Sequence, residues 1–158
     1  MGELKNEVRM PLFDRLVDKD RRLGREARPL RTLGRRDLKE SVRRELVRLF
    51  NTRCPIPAHR LGDRPRTVID YGIPDLSGFS ARSPDDRSRL AEVLLQAVEA
   101  FEPRLANVRV HLDPIPGDDL SLSGRIEAAL VFDSVAEPVS FVTVLQMKDN
   151  EVEVHDGA

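Results

Sequence analysis

Apolar residues recur every three or four positions in two stretches of the chain, which is the spacing of one face of an α-helix. The first stretch follows Asp37, which has the composition of an N-cap residue, with Glu40 in the capping-box position. The second follows Ser83, a typical N-cap residue that precedes a proline, and stops at Pro103, which has no amide donor. We therefore expect a helix of about four turns from residue 37 and one of about five turns that ends at or just before Glu102.

The period of the pattern changes from 3.6 to 2 after these helices, which indicates β-strands. Three runs, at residues 108–112, 122–132 and 139–145, are followed by a short fourth run, EVEVHD, near the C-terminus. Helices followed by strands predict an α+β fold, with N-terminal amphipathic helices packed on a C-terminal antiparallel β-meander.

The last of these strands is expected to lie at an open edge of the sheet. Val152 and Val154 alternate there with charged residues, so a partner strand can add to this edge. Proline at both positions is expected to abolish partner recruitment and to leave the domain folded. The alternative is an edge guarded by its own charges, which are Glu151, Glu153 and Asp156.

The segment between the two helices is rich in proline and glycine. CPIPAHRLGDRPRTV predicts neither a regular helix nor a central strand. VIDYGIPDLSGFS, residues 68–80, predicts a compact loop with a few buried anchors. The residues of interest in this loop are Tyr71, Gly72, Pro74, Asp75 and Leu76.

Residues 1–36 are rich in arginine, and the organisation predicted is an arm over 1–36 and a single domain over 37–158. PLFDRLVDKD permits a short helix or docking segment, and residues 21–36 are typical of a linker or of an arm that orders on a partner. In residues 1–66 the basic residues outnumber the acidic ones by nine. In residues 67–158 the acidic residues outnumber the basic ones by ten. This asymmetry indicates contact with an acidic surface at one end of the chain, or head-to-tail contact between protein copies or partners. Nucleic acid is a weaker alternative, because the arginines lack interleaved aromatic residues.

Candidate enzymatic chemistry is sparse. His59, His111 and His155 stand singly, without zinc-site spacing, and Cys54 is the only cysteine. We expect no metal site, no cofactor and no disulfide. The first ten residues lack the apolar core of a signal peptide, and no run approaches the roughly 18 apolar residues of a membrane span, so a cytoplasmic, soluble protein without membrane insertion is expected.

The stretch FEPRL, residues 101–105, allows three interpretations: a helix stop, half of a carboxylate acid/base pair, or an ion-pair node. An acid/base pair would join Glu102 to Asp70 or Asp75, as in a glycoside hydrolase. Arg104 disfavours this, because an adjacent cation lowers a carboxyl pKa while a general acid needs a raised one. If the stretch is an ion-pair node, the sequence does not decide whether the Arg104 side chain faces inward or toward a partner.

DYGIPDLSGF at 70–79, the helix after it, FEPRL at its end and the PLFDRL opening together resemble the TssE family of type VI secretion baseplate subunits. This family is related to the phage baseplate-wedge proteins historically labelled lysozyme-like. The resemblance implies a non-enzymatic structural role in a cytoplasmic, membrane-docked baseplate, with the wedge subunits TssF and TssG as partners. It also implies strand contact with the sheath subunits TssB and TssC and initiation of sheath polymerisation. Glu102, Pro103 and Arg104 correspond to the EPR motif that the family treats as central. The alternatives are a peptidoglycan hydrolase and a nucleic-acid or regulatory module that uses the basic arm.

Overall fold

The computed structural model describes residues 8–9, 32–61, 65–132 and 135–157. The helices are α1 at Arg35–Asn51, the single turn α2 at Ala58–Leu61 and α3 at Pro84–Phe101, with 3₁₀ turns at Val68–Asp70 and Leu76–Gly78. The strands are β1 Val8–Arg9, β2 Thr32–Leu33, β3 Leu105–Ile115, β4 Asp118–Phe132, β5 Val135–Gln146 and β6 Glu151–Asp156. Strands β3 to β6 form one antiparallel meander in chain order, which confirms the predicted α+β fold.

The described N-terminal residues form a small ribbon. Strand β1 pairs antiparallel with β2, so that Val8 lies opposite Leu33. The candidate helix in PLFDRLVDKD lies outside the described residues, and the division of the chain at residue 36 stays a prediction.

Helix α1 begins earlier than its sequence pattern predicts. Its N-cap is Gly34, in an extended conformation with φ −69° and ψ 167°, so the expected N-cap at Asp37 is wrong. Asp37 lies in the first helical turn instead, where its charge still favours the positive end of the helix dipole. Glu40 makes no capping box. It binds Arg43 through two hydrogen bonds of 2.8 and 2.7 Å, which lower the pKa of its carboxyl group.

Helix α3 begins and ends where the sequence predicts. The Ser83 hydroxyl accepts a hydrogen bond from the Asp86 amide at 3.2 Å, and Pro84 is the first helical residue. At the other end, the Glu102 amide donates to the Val98 carbonyl at 2.8 Å and Pro103 follows. A proline at this point disfavours helical geometry in the residue before it, so the chain turns into β3.

The core is aliphatic and lies between the two long helices and one face of the sheet. The largest fully buried side chains are Leu38, Leu46, Phe50, Ile73, Leu76, Leu90, Leu94, Leu122, Ile126, Leu130, Phe141 and Leu145. Two of them, Ile73 and Leu76, come from the loop before α3, which therefore has buried anchors as predicted. The apolar Val68 and Ile69 of the same stretch are not among them, since they are 87% and 75% exposed. The buried side chains of this loop therefore form part of the core.

Candidate functional site

Glu102 and Arg104 form a bidentate ion pair around Pro103. The Nε atom of Arg104 donates to Oε1 of Glu102 at 2.6 Å, and Nη2 donates to Oε2 at 2.5 Å. The Glu102 side chain is 3% exposed and that of Arg104 is 17% exposed. Both oxygens of this carboxylate are therefore engaged by a guanidinium of the same chain.

The same guanidinium joins the end of α3 to α1. Nη1 of Arg104 donates to the hydroxyl of Ser41 at 3.0 Å, and Ser41 is fully buried. The three nitrogens of the Arg104 guanidinium therefore each donate to a group of the same chain. The Arg104 side chain lies inward in this structure, as an internal node requires. Any contact of this cluster with a partner stays a prediction.

The loop motif contacts Phe101, the residue directly before Glu102. The Tyr71 ring meets the Phe101 ring edge to face, with centroids 5.2 Å apart and planes at 65°. The Arg66 guanidinium lies 5.0 Å from the same centroid, and its Nη2 donates to the carbonyls of Asp70 and Gly72 at 3.0 and 2.7 Å. Burial raises the pKa of the Tyr71 phenol, and the nearby Glu45 carboxylate contributes further. The YG motif and the EPR motif are thus adjacent in the fold.

Gly72 lets the loop pass against the end of α1. Its φ is 109°, and an added Cβ would lie 2.2 Å from the Thr52 carbonyl oxygen. This close approach permits a short parallel bridge, in which the Ile73 amide donates to the Thr52 carbonyl at 3.0 Å and the Cys54 amide donates to the Ile73 carbonyl at 2.9 Å. A residue with a side chain cannot occupy position 72 without moving the backbone.

The rest of the loop motif fixes the turn before α3. Pro74 is buried, and the exposed Asp75 carboxylate accepts from the Ser77 amide at 2.8 Å. Hydrogen bonds from Ser77 lower the pKa of this carboxyl group. The Leu76 amide donates to the side-chain oxygen of Asn150 at 2.8 Å, and Asn150 lies in the turn between β5 and β6. The loop is therefore tied to the C-terminal hairpin.

The C-terminal edge is not open in the way that the sequence suggests. Helix α1 lies along β6, and Asn51 donates to the Val152 carbonyl at 2.8 Å and accepts from the Val152 amide at 3.0 Å. Arg43 donates to the Val154 carbonyl at 3.0 Å. The side chains of Val152 and Val154 are 2% and 1% exposed, so proline there would damage the core, contrary to the expectation of a folded variant.

The candidate enzymatic residues are dispersed. His59 lies in α2, His111 on β3 and His155 on β6, where His155 contacts Glu153 at 3.2 Å. Cys54 is buried. Among the described residues, no group of three or more His, Cys, Asp or Glu side chains is placed to hold a metal ion.

Sequence reasoning missed Ser41, Asn51 and Asn150 as connecting residues. Ser41 carries a visible signal, since it is a polar residue on the apolar face of α1 between Leu38 and Phe50. The two asparagines carry none, because their partners are more than 70 residues away in the chain.

The family model described as baseplate wedge protein gp25 matches residues 36–134. The chain belongs to this family. It is accordingly a structural baseplate component, and the matched segment includes α1, α2, α3, β3 and β4. Among curated proteins nothing matches.

Among solved structures, one similar chain belongs to a structure titled "The baseplate complex from the type VI secretion system". The two chains are 21% identical with a TM-score of 0.49, and the match covers 70% of this chain and 96% of that one. Within the described residues, no helix has both the length and the apolar composition that crossing a membrane requires.

Proposed function

We propose that this chain is the subunit of a type VI secretion baseplate that connects the wedge to the contractile sheath and starts sheath polymerisation. Its partners are the wedge subunits TssF and TssG and the sheath subunits TssB and TssC. The observation that carries the proposal is membership of the baseplate wedge family over residues 36–134, together with the YG and EPR motifs inside that segment. The machine is assembled in the cytoplasm, at a membrane-docked baseplate.

The structural features support a scaffold rather than an enzyme. Arg104 donates to both carboxylate oxygens of the buried Glu102 and to the hydroxyl of Ser41, so the Glu102 carboxylate is used to join the end of α3 to α1 through Arg104. The loop over Tyr71 and Gly72 is fixed to the end of α3 and to α1. A rigid subunit suits a platform, because a sheath that polymerises from it needs a defined starting geometry.

Co-purification tests the proposal. The full chain is expressed with TssF and TssG, the wedge complex is isolated, and purified TssB–TssC is added. We expect a stable complex of this chain with both wedge subunits, and binding of TssB–TssC only when this chain is present. A wedge that forms without this chain, or that recruits the sheath equally well in its absence, contradicts the proposal.

The hydrolase alternative is tested on the same preparation. Glu102→Gln removes the charge of the only carboxylate in the EPR motif. Turnover of peptidoglycan by the wild-type chain that this substitution abolishes would favour an enzyme. We expect no turnover by either protein.

A further inference from the structure

The core-facing side of the β4–β5 hairpin extends beyond the start of α1. Leu130 lies opposite Glu137 in the register of these strands, and at their end Phe132 lies opposite Val135. Cross-strand partners share a face, so all four side chains lie on the face to which the buried Leu130 belongs. Arg35, the first residue of α1, pairs with Glu137, so the helix begins near this row. Farther along the hairpin Phe132 is half-buried and Val135 is 55% exposed, which leaves apolar surface at its end.

A groove lies between this end of the hairpin and the first turns of α1. It consists of two adjoining cavities of about 320 and 190 Å³, which share Arg35, Leu130 and Glu137. The hairpin contributes an apolar side, lined by Leu130, Phe132, Val135 and Val139. Helix α1 contributes a cationic side, lined by Arg35, Arg36 and Lys39. We call this site the hairpin groove.

The positive charge of the hairpin groove is only partly neutralised by the rest of the chain. Arg35 pairs with Glu137, but its side chain is 72% exposed, and an exposed pair of this kind exchanges partners at little cost. The Lys39 ammonium lies 3.6 Å from the carboxylate of Asp156. Arg36 is exposed, and within the part of the chain that the structure describes it makes no ion pair. An acidic ligand would therefore meet complementary charge at this side of the groove.

We infer that the hairpin groove binds a segment of a wedge subunit that carries Asp or Glu beside an apolar side chain. The inference rests on the proposed function. An arginine guanidinium binds a carboxylate through two parallel hydrogen bonds, which suits Arg36 for the acidic residue of this segment. The apolar residue would pack on Phe132 and Val135. Apolar surface rimmed by polar groups is typical of a protein interaction site.

The position of the groove distinguishes this contact from strand pairing with the sheath. An added strand lies in the plane of a sheet, beside one of its edges. The hairpin groove lies on a face of the sheet instead, and side chains of β4 and β5 line it. It therefore fits the other class of partner in the proposed function, the wedge subunits TssF and TssG.

Nucleic acid fits the groove less well than an acidic protein segment. Phosphate groups bind by charge, and they would use the arginines alone. The apolar lining from Phe132 and Val135 would stay empty, and the Glu137 carboxylate would repel a phosphate.

Two arginines provide matched variants for the charge. Arg36→Glu and Arg60→Glu make the same change at exposed helical positions, one in the groove and one in α2. Each full-length variant is titrated with the TssF–TssG complex, and thermal melts check that both remain folded. We expect the affinity to fall at least about tenfold for Arg36→Glu, because it repels the acidic residue, and to stay within about twofold for Arg60→Glu.

Two valines provide matched variants for the apolar side. Val135 lies on the face of the hairpin that lines the groove, whereas Val131, 41% exposed, lies opposite Ala136 on the other face. We expect Val135→Asp to weaken binding of TssF–TssG at least about tenfold and Val131→Asp to change it by less than about twofold. Equal effects within either pair of variants, in a wild-type background that binds TssF–TssG, would overturn the inference and leave the proposed function standing.

A photo-cross-link identifies the occupant. The amino acid p-benzoylphenylalanine replaces Val135, the chain is assembled with TssF, TssG and TssB–TssC, and the cross-linked peptide is identified by mass spectrometry. We expect a peptide of TssF or TssG with Asp or Glu beside an apolar residue, and replacement of that acid by arginine should restore binding to Arg36→Glu. A cross-link to the sheath alone would overturn the inference, as would binding of a labelled DNA duplex that Arg36→Glu abolishes while TssF–TssG still binds. If the wild-type chain does not bind TssF–TssG at all, the proposed function itself fails.

Discussion

Arg104 binds both carboxylate oxygens of a glutamate that lies only two residues before it. In a regular strand the side chains of residues 102 and 104 would point to the same side but stand about 7 Å apart along the chain. Here the backbone turns at Pro103, and the Leu105 amide donates to the Glu102 carbonyl at 3.0 Å, which folds the two side chains together. The EPR motif is thus a turn whose two charged residues form an ion pair with each other.

Replacement of Arg104 by alanine is expected to lower the free energy of unfolding by about 3–5 kcal/mol, because it leaves the buried Glu102 carboxylate unpaired. Arg104→Lys should fall between the wild type and Arg104→Ala, since an ammonium group cannot form the bidentate pair. The measurement is urea denaturation followed by circular dichroism.

The matched control for this prediction is Arg82→Ala. Arg82 also pairs with a carboxylate, that of Asp119, but both side chains are largely exposed, at 75% and 58%. An exposed pair contributes little to stability, so we expect Arg82→Ala to unfold at nearly the same urea concentration as the wild type. Equal losses for Arg82→Ala and Arg104→Ala would contradict the description of Glu102–Arg104 as an internal node.

Alanine at position 72 is expected to disrupt the loop. It introduces a Cβ that would lie 2.2 Å from the Thr52 carbonyl oxygen at a residue with φ 109°, so the parallel bridge to Thr52 and Cys54 must open. We expect a loss of stability of at least about 2 kcal/mol, measured by urea denaturation. Gly78→Ala is the control, because its Cβ would meet nothing within 4 Å, and its effect should stay within about 0.5 kcal/mol.

Tyr71 is the only tyrosine of the chain, so its ionisation can be followed alone by absorbance at high pH. Burial raises its pKa, and we expect the midpoint to lie above the ordinary value of about 10. The contribution of this group to stability is complete below the pKa of the unfolded chain and is lost as pH rises through the folded pKa. Tyr71→Phe keeps the ring contact with Phe101 and should abolish the transition; a midpoint below 10 would contradict the buried position.

Removal of the Asn51 side chain is expected to cost about 1–2 kcal/mol of stability, because the amide and carbonyl of Val152 lose their partner. Gln96→Ala is the control, since Gln96 is another helical amide, and it donates to the exposed Glu92 side chain one turn away. Hydrogen exchange gives a second readout, in which the Val152 amide should exchange faster in Asn51→Ala. An unchanged exchange rate would mean that Asn51 does not cover this edge in solution.

Local sequence signals predict the elements of this fold well. Ser83 and Pro84 predict the start of α3, and Pro103 predicts its end. These signals are local, because a capping hydroxyl and a missing proline amide both act within one helical turn. The N-terminus of α1 lies about one turn before the position that the sequence predicts, since Asp37 can serve either as an N-cap or as a first-turn acidic residue. The alternation of apolar residues predicts the strands of the meander, because one face of each strand packs on the core.

The cover of the sheet edges could not be read from the sequence. That β6 is closed depends on Asn51 and Arg43, whose contacts to Val152 and Val154 join residues more than 100 positions apart. Nothing in the local composition of α1 distinguishes these two polar residues from others on its surface. The inward position of Arg104 has the same origin, because Ser41 is 63 residues away.

The segment that matches the family model ends at residue 134, just after β4, and does not include β5 or β6. A chain that stopped there would lack Phe141, Leu145, Val152 and Val154, which belong to the buried core, and would leave the whole length of β4 as a new unpaired edge. The matched segment of this chain therefore needs the hairpin of β5 and β6 to complete its core and to pair β4.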